Sequence, residues 1–315
     1  MKLREVEYGR VLCASGARGF YGEGYPFHRI WRFFGLNWRG TTFVAKTTTL
    51  EPRVGNLHLG KDGVTPTELM PRCIVVKPLS GHVLNAVGLS GPGAEALYQS
   101  GRYQRMRRPF MQSFMSVASS KEARFEELRR YVALDKRYMQ GVDSPRALVL
   151  NFACPNIGLH YEELGDEVLT ALDIAADLDV PLIANFSVVT PMELLLEVSE
   201  HQSCDALWIG NTIPWGTAGV DWKQLFGDGE VSPLTKRGLP SAGGLSGPTC
   251  LLFALERLWH LRYLGVTKPI ILGNGIQSVY AANLAFEFGA DAIALGVVGI
   301  VRPWRMRSII KAVNH

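Results

Sequence analysis

Short, almost wholly apolar segments alternate with longer amphipathic segments over most of this chain. A strand that is apolar along its whole length is typical of a parallel sheet covered on both faces, because a half-buried strand would alternate apolar and polar residues. The sequence therefore predicts eight buried strands. They are Val11–Ser15, Thr42–Thr47, Met111–Ala118, Ala147–Phe152, Leu182–Phe186, Ala206–Gly210, Ile270–Leu272 and Ala292–Leu295.

The amphipathic segments predict helices between these strands, and several of them end at a glycine such as Gly265 or Gly289. Eight strands alternating with helices favour the α/β class and a (β/α)₈ TIM barrel. A doubly wound open sheet is the alternative, although its usual GxGxxG does not follow the first strand. The predicted helices are Lys121–Tyr138, Tyr161–Asp177, Pro191–Glu200, Pro248–Leu264, Val279–Phe288 and Pro303–Val313.

Two long segments, Thr48–Gly81 and Ile213–Gly247, interrupt this alternation and are rich in glycine or proline. Connections of such length in a compact domain are usually binding loops or lids. We expect the first to project from the carboxyl ends of the strands, where the active sites of TIM barrels lie. No repeat or linker divides the chain, so we expect residues 1–315 to form a single domain.

The composition argues against several kinds of function. There are 33 Lys and Arg against 29 Asp and Glu, a net charge of +4, which fits an anionic small ligand at most and not a nucleic acid. The five cysteines are odd in number and form no CxxC pair, which argues against disulfides, a metal site and an iron–sulfur centre. The amino terminus is too polar for a signal peptide, and no apolar run could span a membrane. We expect a cytoplasmic protein.

The predicted strand Ala147–Phe152 ends in a turn that carries Asn151, Cys154 and Asn156. Carboxyl ends of barrel strands meet at the mouth of the barrel, so we expect these side chains there. Asparagine amides both donate and accept hydrogen bonds, and a pair of them can hold a planar heterocycle with NH and C=O groups. A partly exposed thiol can accept a proton when its environment tunes it. A buried structural cysteine is the alternative interpretation.

Polar or glycine-rich turns also follow the last three predicted strands. Gly273-Asn274-Gly275 and Gly296-Val297 end the seventh and eighth strands and precede helices, a pattern typical of the phosphate site of TIM barrels. Simple strand-to-helix turns are the alternative. Asn211-Thr212 ends the sixth strand and is either a ligand contact or a helix cap or turn.

Five segments, taken in chain order, resemble motifs of the dihydroorotate dehydrogenases. Asn151–Asn156 is similar to the NxxCPN signature of class 1 of that family, whereas class 2 members have serine in place of the cysteine. Each motif is weak alone, but the combination is specific and covers nearly the whole chain. The five segments are Ala14–Gly16, Lys46–Asn56, Asn85–Leu89, Asn151–Asn156 and Gly243–Gly247.

The resemblance implies an FMN-dependent oxidoreductase that converts dihydroorotate to orotate in pyrimidine biosynthesis. It implies that Cys154 is the catalytic base and that Lys46 contacts both substrate and flavin. It also implies a homodimer, with an electron-transfer partner subunit as one option. The implied substrate-binding residues are Lys46, Asn85, Val87, Gly88, Leu89, Asn151, Asn156, Asn211 and Thr212. The implied FMN-binding residues are Ser15, Gly16, Lys46, Thr47, Ser116, Asn151, Asn185, Gly210, Gly247, Asn274, Gly275, Gly296 and Val297.

Asn185 departs from the pattern of the family, which usually has a lysine beside the flavin at the matching position of the fifth strand. A lysine stabilises the anionic reduced flavin through its charge, whereas an amide offers only a hydrogen bond. We therefore expect a less favourable flavin reduction, or a cation supplied from elsewhere, such as Lys77. Gly273-Asn274-Gly275 replaces a fuller G-x-G-G turn, and asparagine tolerates the left-handed backbone better than most residues.

Two other functions stay open. One is a related FMN-dependent reductase of another pyrimidine, as in the dihydropyrimidine dehydrogenases. The tRNA dihydrouridine synthases share the N-x-x-C-P turn, but this chain shows neither their K-x-R nor a basic extension. The other is a flavin-binding protein that has lost turnover, which Asn185 favours. The sequence does not choose among fumarate, NAD through a partner subunit and quinone as the electron acceptor.

Overall fold

The computed structural model describes residues 1–152 and 165–314. Strands and helices follow one another in the alternation that the sequence predicts, with additional short strands between them. In chain order the strands are β1 (Lys2–Leu3), β2 (Val6–Glu7), β3 (Val11–Cys13), β4 (Phe43–Val44), β5 (Ile74–Lys77), β6 (His82–Asn85), β7 (Phe110–Phe114), β8 (Arg146–Asn151), β9 (Leu182–Ser187), β10 (Ala206–Asn211), β11 (Ile213–Pro214), β12 (Gly244–Ser246), β13 (Ile270–Leu272) and β14 (Ala292–Leu295).

Eight of these strands form a parallel barrel. Neighbours pair in the order β3, β14, β13, β10, β9, β8, β7 and β4. The ring closes between β3 and the residues just before β4, where the amide of Cys13 donates to the carbonyl oxygen of Thr42 over 2.9 Å. Each of the eight predicted strands overlaps one strand of this barrel, so the predicted TIM barrel is confirmed and the open sheet is excluded.

The apolar character of these strands follows from burial on both faces. All six residues of β9 are buried, as are the four central residues of β8. Alternate side chains point into the barrel, where Met111, Val149 and Trp208 belong to one interior core. The intervening side chains pack outward against the helices in a larger second core. This two-sided burial explains why a nearly continuous apolar run, and not an alternating one, identified most of these strands.

The amino-terminal hairpin of β1 and β2 closes the amino end of the barrel. Leu3 and Tyr8 are buried in the same cluster as the interior side chains of the barrel strands. Arg4 holds the hairpin in place through ion pairs with Asp205, at 3.1 Å, and with Asp179, at 2.9 Å.

Helices surround the barrel, mostly at the predicted positions. In α3, for example, the Oγ of Ser120 accepts a hydrogen bond from the amide of Ala123, a typical helix cap. The predicted start of α4 at Tyr161 lies outside the described residues. The helices are α1 (Pro26–Phe33), α2 (Ala94–Gln99), α3 (Lys121–Met139), α4 (Gly165–Ala176), α5 (Met192–Glu200), α6 (Trp222–Phe226), α7 (Pro233–Lys236), α8 (Pro248–Tyr263), α9 (Val279–Glu287), α10 (Val298–Val301) and α11 (Met306–Asn314), with a 3₁₀ turn at Pro303–Arg305.

The two long interrupting segments are not irregular loops throughout. A second, antiparallel sheet has four strands in the order β11, β12, β6 and β5. The two long segments supply β5, β11 and β12, and β6 comes from the residues directly after the first segment. Asn85 of β6 pairs with Gly244 of β12, which joins chain segments far apart in sequence. The sheet lies beside the carboxyl ends of the barrel strands, since its residues line the cavity described below. No helix in residues 1–152 or 165–314 is long and apolar enough to cross a membrane.

Candidate active site

A chain of polar side chains runs along the carboxyl ends of the barrel strands. The hydroxyl of Ser15, after β3, lies 3.0 Å from that of Thr47, after β4. Thr47 Oγ1 accepts a hydrogen bond from Asn151 Nδ2 at 3.2 Å, and Asn151 Oδ1 accepts one from Asn211 Nδ2 at 3.1 Å. Asn274 continues the chain by donating to the carbonyl oxygen of Asn211 at 3.1 Å. These contacts orient side chains from five different strands toward one another.

The turns after β10 and β13 are packed against each other. Gly210 has φ of 123°, and a Cβ there would lie 2.4 Å from the carbonyl oxygen of Gly273. Asn274 adopts φ of 65°, the left-handed conformation expected from its sequence. Its Oδ1 accepts a hydrogen bond from the amide of Gly247 at 3.1 Å, which ties this turn to the GGLSG segment. Backbone crowding therefore demands glycine at position 210, and Asn274 connects two predicted motifs.

Lys46 is buried beside this polar chain. Its Nζ donates to the carbonyl oxygen of Ser90 at 2.7 Å and lies 4.9 Å from the centre of the Phe20 ring. The loop around Ser90 is held in turn by Asn56, which donates from Nδ2 to the carbonyl oxygen of Ala86 at 2.7 Å. The KTTTLEPRVGN and NAVGL segments, which the resemblance singled out separately, thus form one packed unit.

Asn185 occupies the inner face of β9, between the strands of Asn151 and Trp208. Only 5% of the residue is exposed, and its Oδ1 is buried without a hydrogen-bond partner in the described part of the chain. An unpaired buried acceptor costs about 1–3 kcal/mol. The predicted substitute cation, Lys77, does not line the same cavity, because its Nζ lies over the ring of Phe226 at 5.6 Å from the centre. Among the residues that the structure describes, Lys46 is the lysine that lines the cavity.

These groups line a cavity of about 260 Å³ at the mouth of the barrel. Most of the predicted site residues meet there, although their roles stay predictions. Those that line the cavity are Ser15, Gly16, Lys46, Thr47, Asn85, Val87, Gly88, Leu89, Asn151, Asn185, Gly210, Asn211, Thr212, Asn274, Gly275, Gly296 and Val297.

Two predicted flavin contacts do not line this cavity. Ser116 lies beyond β7, and its Oγ donates to the carbonyl oxygen of Arg124 at 2.8 Å, which turns it toward α3. Gly247 lies behind Asn274 and against the ring of His82. The predicted base Cys154 and its neighbour Asn156 lie outside the described residues. The expected phosphate turns are brought together, but the first turn of α9 is already capped, since Ser278 Oγ accepts from the amide of Ala281.

Sequence reasoning missed one wall of the cavity. Tyr25 and His28 reach it from the start of α1, and Ile74 and Val83 from the second sheet. Burial lowers the pKa of His28 to about 4, with the positive charges of Arg18 and Arg32 adding to the effect. Burial also raises the pKa of Tyr25. No motif marks these positions, so only the packing of α1 over the barrel could reveal them.

The donor set fits a flavin. An isoalloxazine ring presents NH and C=O groups, which suit the amide of Asn151 and the orphaned acceptor of Asn185. Lys46 offers positive charge for an anionic group. The glycine-rich turns at Gly275 and Gly296 add backbone to the lining of the cavity.

A barrel of eight parallel strands with a polar cavity at their carboxyl ends is the architecture of a TIM-barrel enzyme. The family model described as "Dihydroorotate dehydrogenase" matches residues 16–315. The chain therefore belongs to the dihydroorotate dehydrogenase family, and it is an oxidoreductase. The resemblance predicted from the sequence motifs is confirmed.

Curated relatives and solved structures agree with this family. The chain is 31% identical over 302 residues to "Dihydroorotate dehydrogenase B (NAD(+)), catalytic subunit" of Desulforudis audaxviator, which covers 93% of this chain and 83% of the relative. It is 28% identical to "Dihydroorotate dehydrogenase A (fumarate)" of Lacticaseibacillus paracasei, over 91% of this chain and 86% of the relative. The ligand-free DHODH structure from Eimeria tenella superposes with a TM-score of 0.71 at 15% identity, covering 99% of this chain and 86% of the other.

Proposed function

We propose that this protein binds FMN at the barrel mouth and oxidises dihydroorotate to orotate. The observation that carries the proposal is the hydrogen-bonded chain from Ser15 through Asn151 and Asn211 to Asn274, which faces one cavity in a member of this family. Such a row of amides and hydroxyls matches a planar ring that displays NH and C=O groups along its edge.

The residues that line the cavity have distinct proposed roles. Asn151 and Asn211 orient the pyrimidine ring, and each is itself oriented by its neighbours, so the site is organised before substrate arrives. Lys46 supplies positive charge to an anionic group such as the substrate carboxylate, and its contacts with Ser90 and Phe20 restrict its position. Asn85 and Thr212 complete the rim of the cavity.

Cys154 is the proposed base. It follows Asn151 by three residues, and Asn151 faces the cavity. Its thiolate takes the proton from C5 of dihydroorotate, and bound FMN supplies the acceptor for the hydride that leaves C6. The C5–C6 bond of the substrate becomes the double bond of orotate, so one proton and one hydride, or two protons and two electrons in total, leave the substrate.

The proposal is tested by adding dihydroorotate to the FMN-loaded protein without oxygen. We expect the flavin absorbance near 450 nm to bleach on the order of seconds or faster, as for ordinary enzyme turnover. A Cys154→Ser variant should bind flavin but bleach at least about a hundredfold more slowly at neutral pH, because a hydroxyl is a weaker base. Cys204→Ser is the matched control, since Cys204 is buried away from the cavity. A spectrum that dihydroorotate leaves unchanged would contradict the proposal.

Asn185 favours a second candidate function, a flavin-binding protein with little turnover. Its amide brings no charge to the site, and the lysine considered as a substitute lies against Phe226. This candidate predicts a yellow protein that neither dihydroorotate nor NADPH bleaches. Bleaching by NADPH alone would instead favour reduction of another pyrimidine.

The same FMN-loaded protein, once reduced, can be used to identify the electron acceptor. Relatives bear names that specify fumarate or NAD(+) with a catalytic subunit, and we propose that one of these, with a partner subunit in the case of NAD, reoxidises the flavin. Stopped-flow reoxidation by fumarate, by NAD and by a quinone distinguishes them. We also predict that the protein is a homodimer and that it is cytoplasmic. Analytical ultracentrifugation tests the first of these predictions.

A further inference from the structure

Trp208 is a large side chain inside the barrel that no sequence motif marks. It lies on β10, deeper in the barrel than Asn211 at the end of the same strand, and it is 3% exposed. It belongs to the interior core of the barrel and also lines the cavity. On the neighbouring strand β9 it pairs in register with Asn185, which lines the cavity as well. We call Asn185 and Trp208 the floor pair, because they lie at the inner end of the cavity.

The indole N–H of Trp208 has no hydrogen-bond partner among the residues that the structure describes. Buried indoles usually have one, and Trp222, for example, donates from Nε1 to the carbonyl oxygen of Thr217 at 3.1 Å. The Nε1 of Trp208 lies 3.0 Å from the position that a Cβ on Gly273 would take. It is not one of the enclosed polar atoms that lack a partner, so it opens onto the cavity. This N–H is therefore available to a ligand.

The floor pair differs in this respect from the polar side chains nearer the rim. Asn151 and Asn211 are bonded to each other at 3.1 Å. Trp208 and Asn185 do not bond to each other, and in residues 1–152 and 165–314 the amide of Asn185 makes no side-chain hydrogen bond either. Because buried polar groups are nearly always paired, two unused groups side by side indicate a site that a ligand completes.

The depth of the floor pair favours the cofactor over the substrate as that ligand. Leu3 and Tyr8 fill the base of the barrel interior, so molecules reach the cavity from the carboxyl ends of the strands. A molecule that is exchanged in every turnover must lie nearer this opening than one that stays bound. The floor pair therefore meets the flavin, whose ring carbonyl oxygens and ring nitrogens accept hydrogen bonds.

The floor pair carries no charge, although charge builds on a flavin ring when it is reduced. A hydride brings the ring two electrons and one proton, so the ring is negative until a second proton follows. Among the described residues that line the cavity, Lys46 is the one Lys or Arg, and its Nζ is bonded to the carbonyl oxygen of Ser90. The other titratable ones are Tyr25 and His28, and burial raises the pKa of Tyr25 and lowers that of His28, so both are neutral at pH 7. A neutral donor on the floor then binds the reduced ring more tightly than the oxidised ring, because hydrogen bonds to charged acceptors are stronger.

We propose that Trp208 donates its indole N–H to the bound flavin ring and, with no cation at Asn185, is the group on the cavity floor that favours reduction of the ring. The proposal rests on the flavin binding proposed above but not on the identity of the substrate. An uncharged donor supplies part of the stabilisation that a cation would give. Phenylalanine would fill much of the same space without the donor, so Trp208→Phe is the variant that tests the role.

The affinities of the full chain for oxidised FMN and for FMN reduced with dithionite test the proposal without any substrate. Trp208→Phe should weaken the binding of oxidised FMN several-fold and that of reduced FMN roughly tenfold more. That difference lowers the midpoint potential of the two-electron couple by about 30 mV. Trp222→Phe is the matched control, because it also removes a buried indole N–H but does not line the cavity, and both affinities should equal those of the wild type. In Asn185→Lys the additional effect of Trp208→Phe on reduced FMN should shrink, since a cation is then present.

A second measurement uses the wild type and decides the question if Trp208→Phe fails to fold. All 7 tryptophans lie in the described part of the chain, and Trp208 is the one that lines the cavity. In nuclear magnetic resonance spectra of protein with isotope-labelled tryptophan, one indole N–H signal should move downfield when FMN binds and further when the FMN is reduced. Unchanged indole signals, or equal weakening of both forms of FMN in Trp208→Phe, overturn the role of Trp208 and leave flavin binding intact. A wild type that binds no FMN overturns the proposed function as well.

Discussion

Asn211 donates a hydrogen bond to Asn151 at 3.1 Å, although β9 lies between their two strands in the barrel. The contact bridges over β9. Asn211 is itself held in orientation, since its Oδ1 also accepts a hydrogen bond from the amide of Thr212 at 2.7 Å. A polar network of this kind fixes which atoms of a ligand each amide can meet.

Replacing Asn211 with alanine should therefore impair catalysis more than folding. We expect kcat/KM for dihydroorotate to fall at least about thirtyfold, since about 2 kcal/mol is a reasonable cost for losing two oriented hydrogen bonds. Steady-state kinetics measures this, with thermal unfolding as the check on stability. Asn314→Ala, which removes an exposed hydrogen bond to the carbonyl oxygen of Gly40, is the control and should leave kcat/KM unchanged. Equal losses in both variants would remove the assigned role.

Asn185→Leu should stabilise the flavin-free protein while weakening flavin binding. Leucine has a similar shape and removes the buried Oδ1 that lacks a partner, which costs about 1–3 kcal/mol. We expect the Tm without FMN to rise, and the increase in Tm on adding FMN to shrink. Differential scanning fluorimetry with and without FMN measures both. A lower Tm in the flavin-free variant would show that the Asn185 amide is needed by the fold itself.

Asn185→Lys should make the flavin easier to reduce. A cation placed at this position favours the anionic reduced form, so the midpoint potential should rise on the order of tens of millivolts. Spectroelectrochemical titration of the FMN-loaded protein measures the potential without relying on turnover. Asn185→Met, of similar length and uncharged, separates the effect of charge from that of size. A potential that both variants shift equally would rule out the electrostatic explanation.

Alkylation should distinguish Cys154 from the other cysteines. Burial raises the pKa of Cys73 and of Cys204 to about 11 and that of Cys250 to about 12, and it raises the pKa of Cys13 as well. These thiols are protonated and shielded at pH 8, so iodoacetamide should label Cys154 first. Orotate should slow that labelling. Mass spectrometry of tryptic peptides follows it, and labelling of Cys154 at the same rate as Cys204 would argue against a reactive site.

His28 should make the fold sensitive to mild acid. Its pKa is about 4 in the fold and near 6.5 in the unfolded chain, so between these values only the unfolded chain takes up the proton. The stabilisation is complete above pH 6.5 and is lost as the pH falls toward 4, by on the order of 3 kcal/mol. Urea unfolding across this range should show a shallower loss in His28→Asn. His82, whose pKa burial also lowers, keeps part of the slope, and the half-buried His260, replaced by Asn, serves as the control.

The pattern of apolar segments was sufficient to predict the barrel, but it did not predict the second sheet at the mouth of the barrel. β13 is apolar throughout, and β9 is apolar apart from Asn185 and Ser187, because both faces of each strand are buried, and that signal is local. The second sheet was missed because β11 has two residues and β12 three, and their pairing with β6 depends on contacts between distant segments. Ser116 was expected at the cavity because the resemblance implied a flavin contact there, but its side chain instead meets the backbone of α3.

Some features of the site could not come from sequence at all. Tyr25 and His28 lie in a segment without a motif, and only the docking of α1 over the mouth brings them to the cavity. Asn185, by contrast, was identified from the sequence as a departure from the family pattern, and the structure places it at a buried position in the lining of the cavity.

Because Leu3 and Tyr8 of the amino-terminal hairpin region fill the bottom of the barrel interior, the barrel is open at one end only. Among the residues that the structure describes, a reductant and an oxidant have only the upper rim through which to arrive and depart. An acceptor that enters the cavity itself, such as fumarate, would use that rim only after the first product has left it. We expect alternating, ping-pong kinetics for an acceptor of that kind.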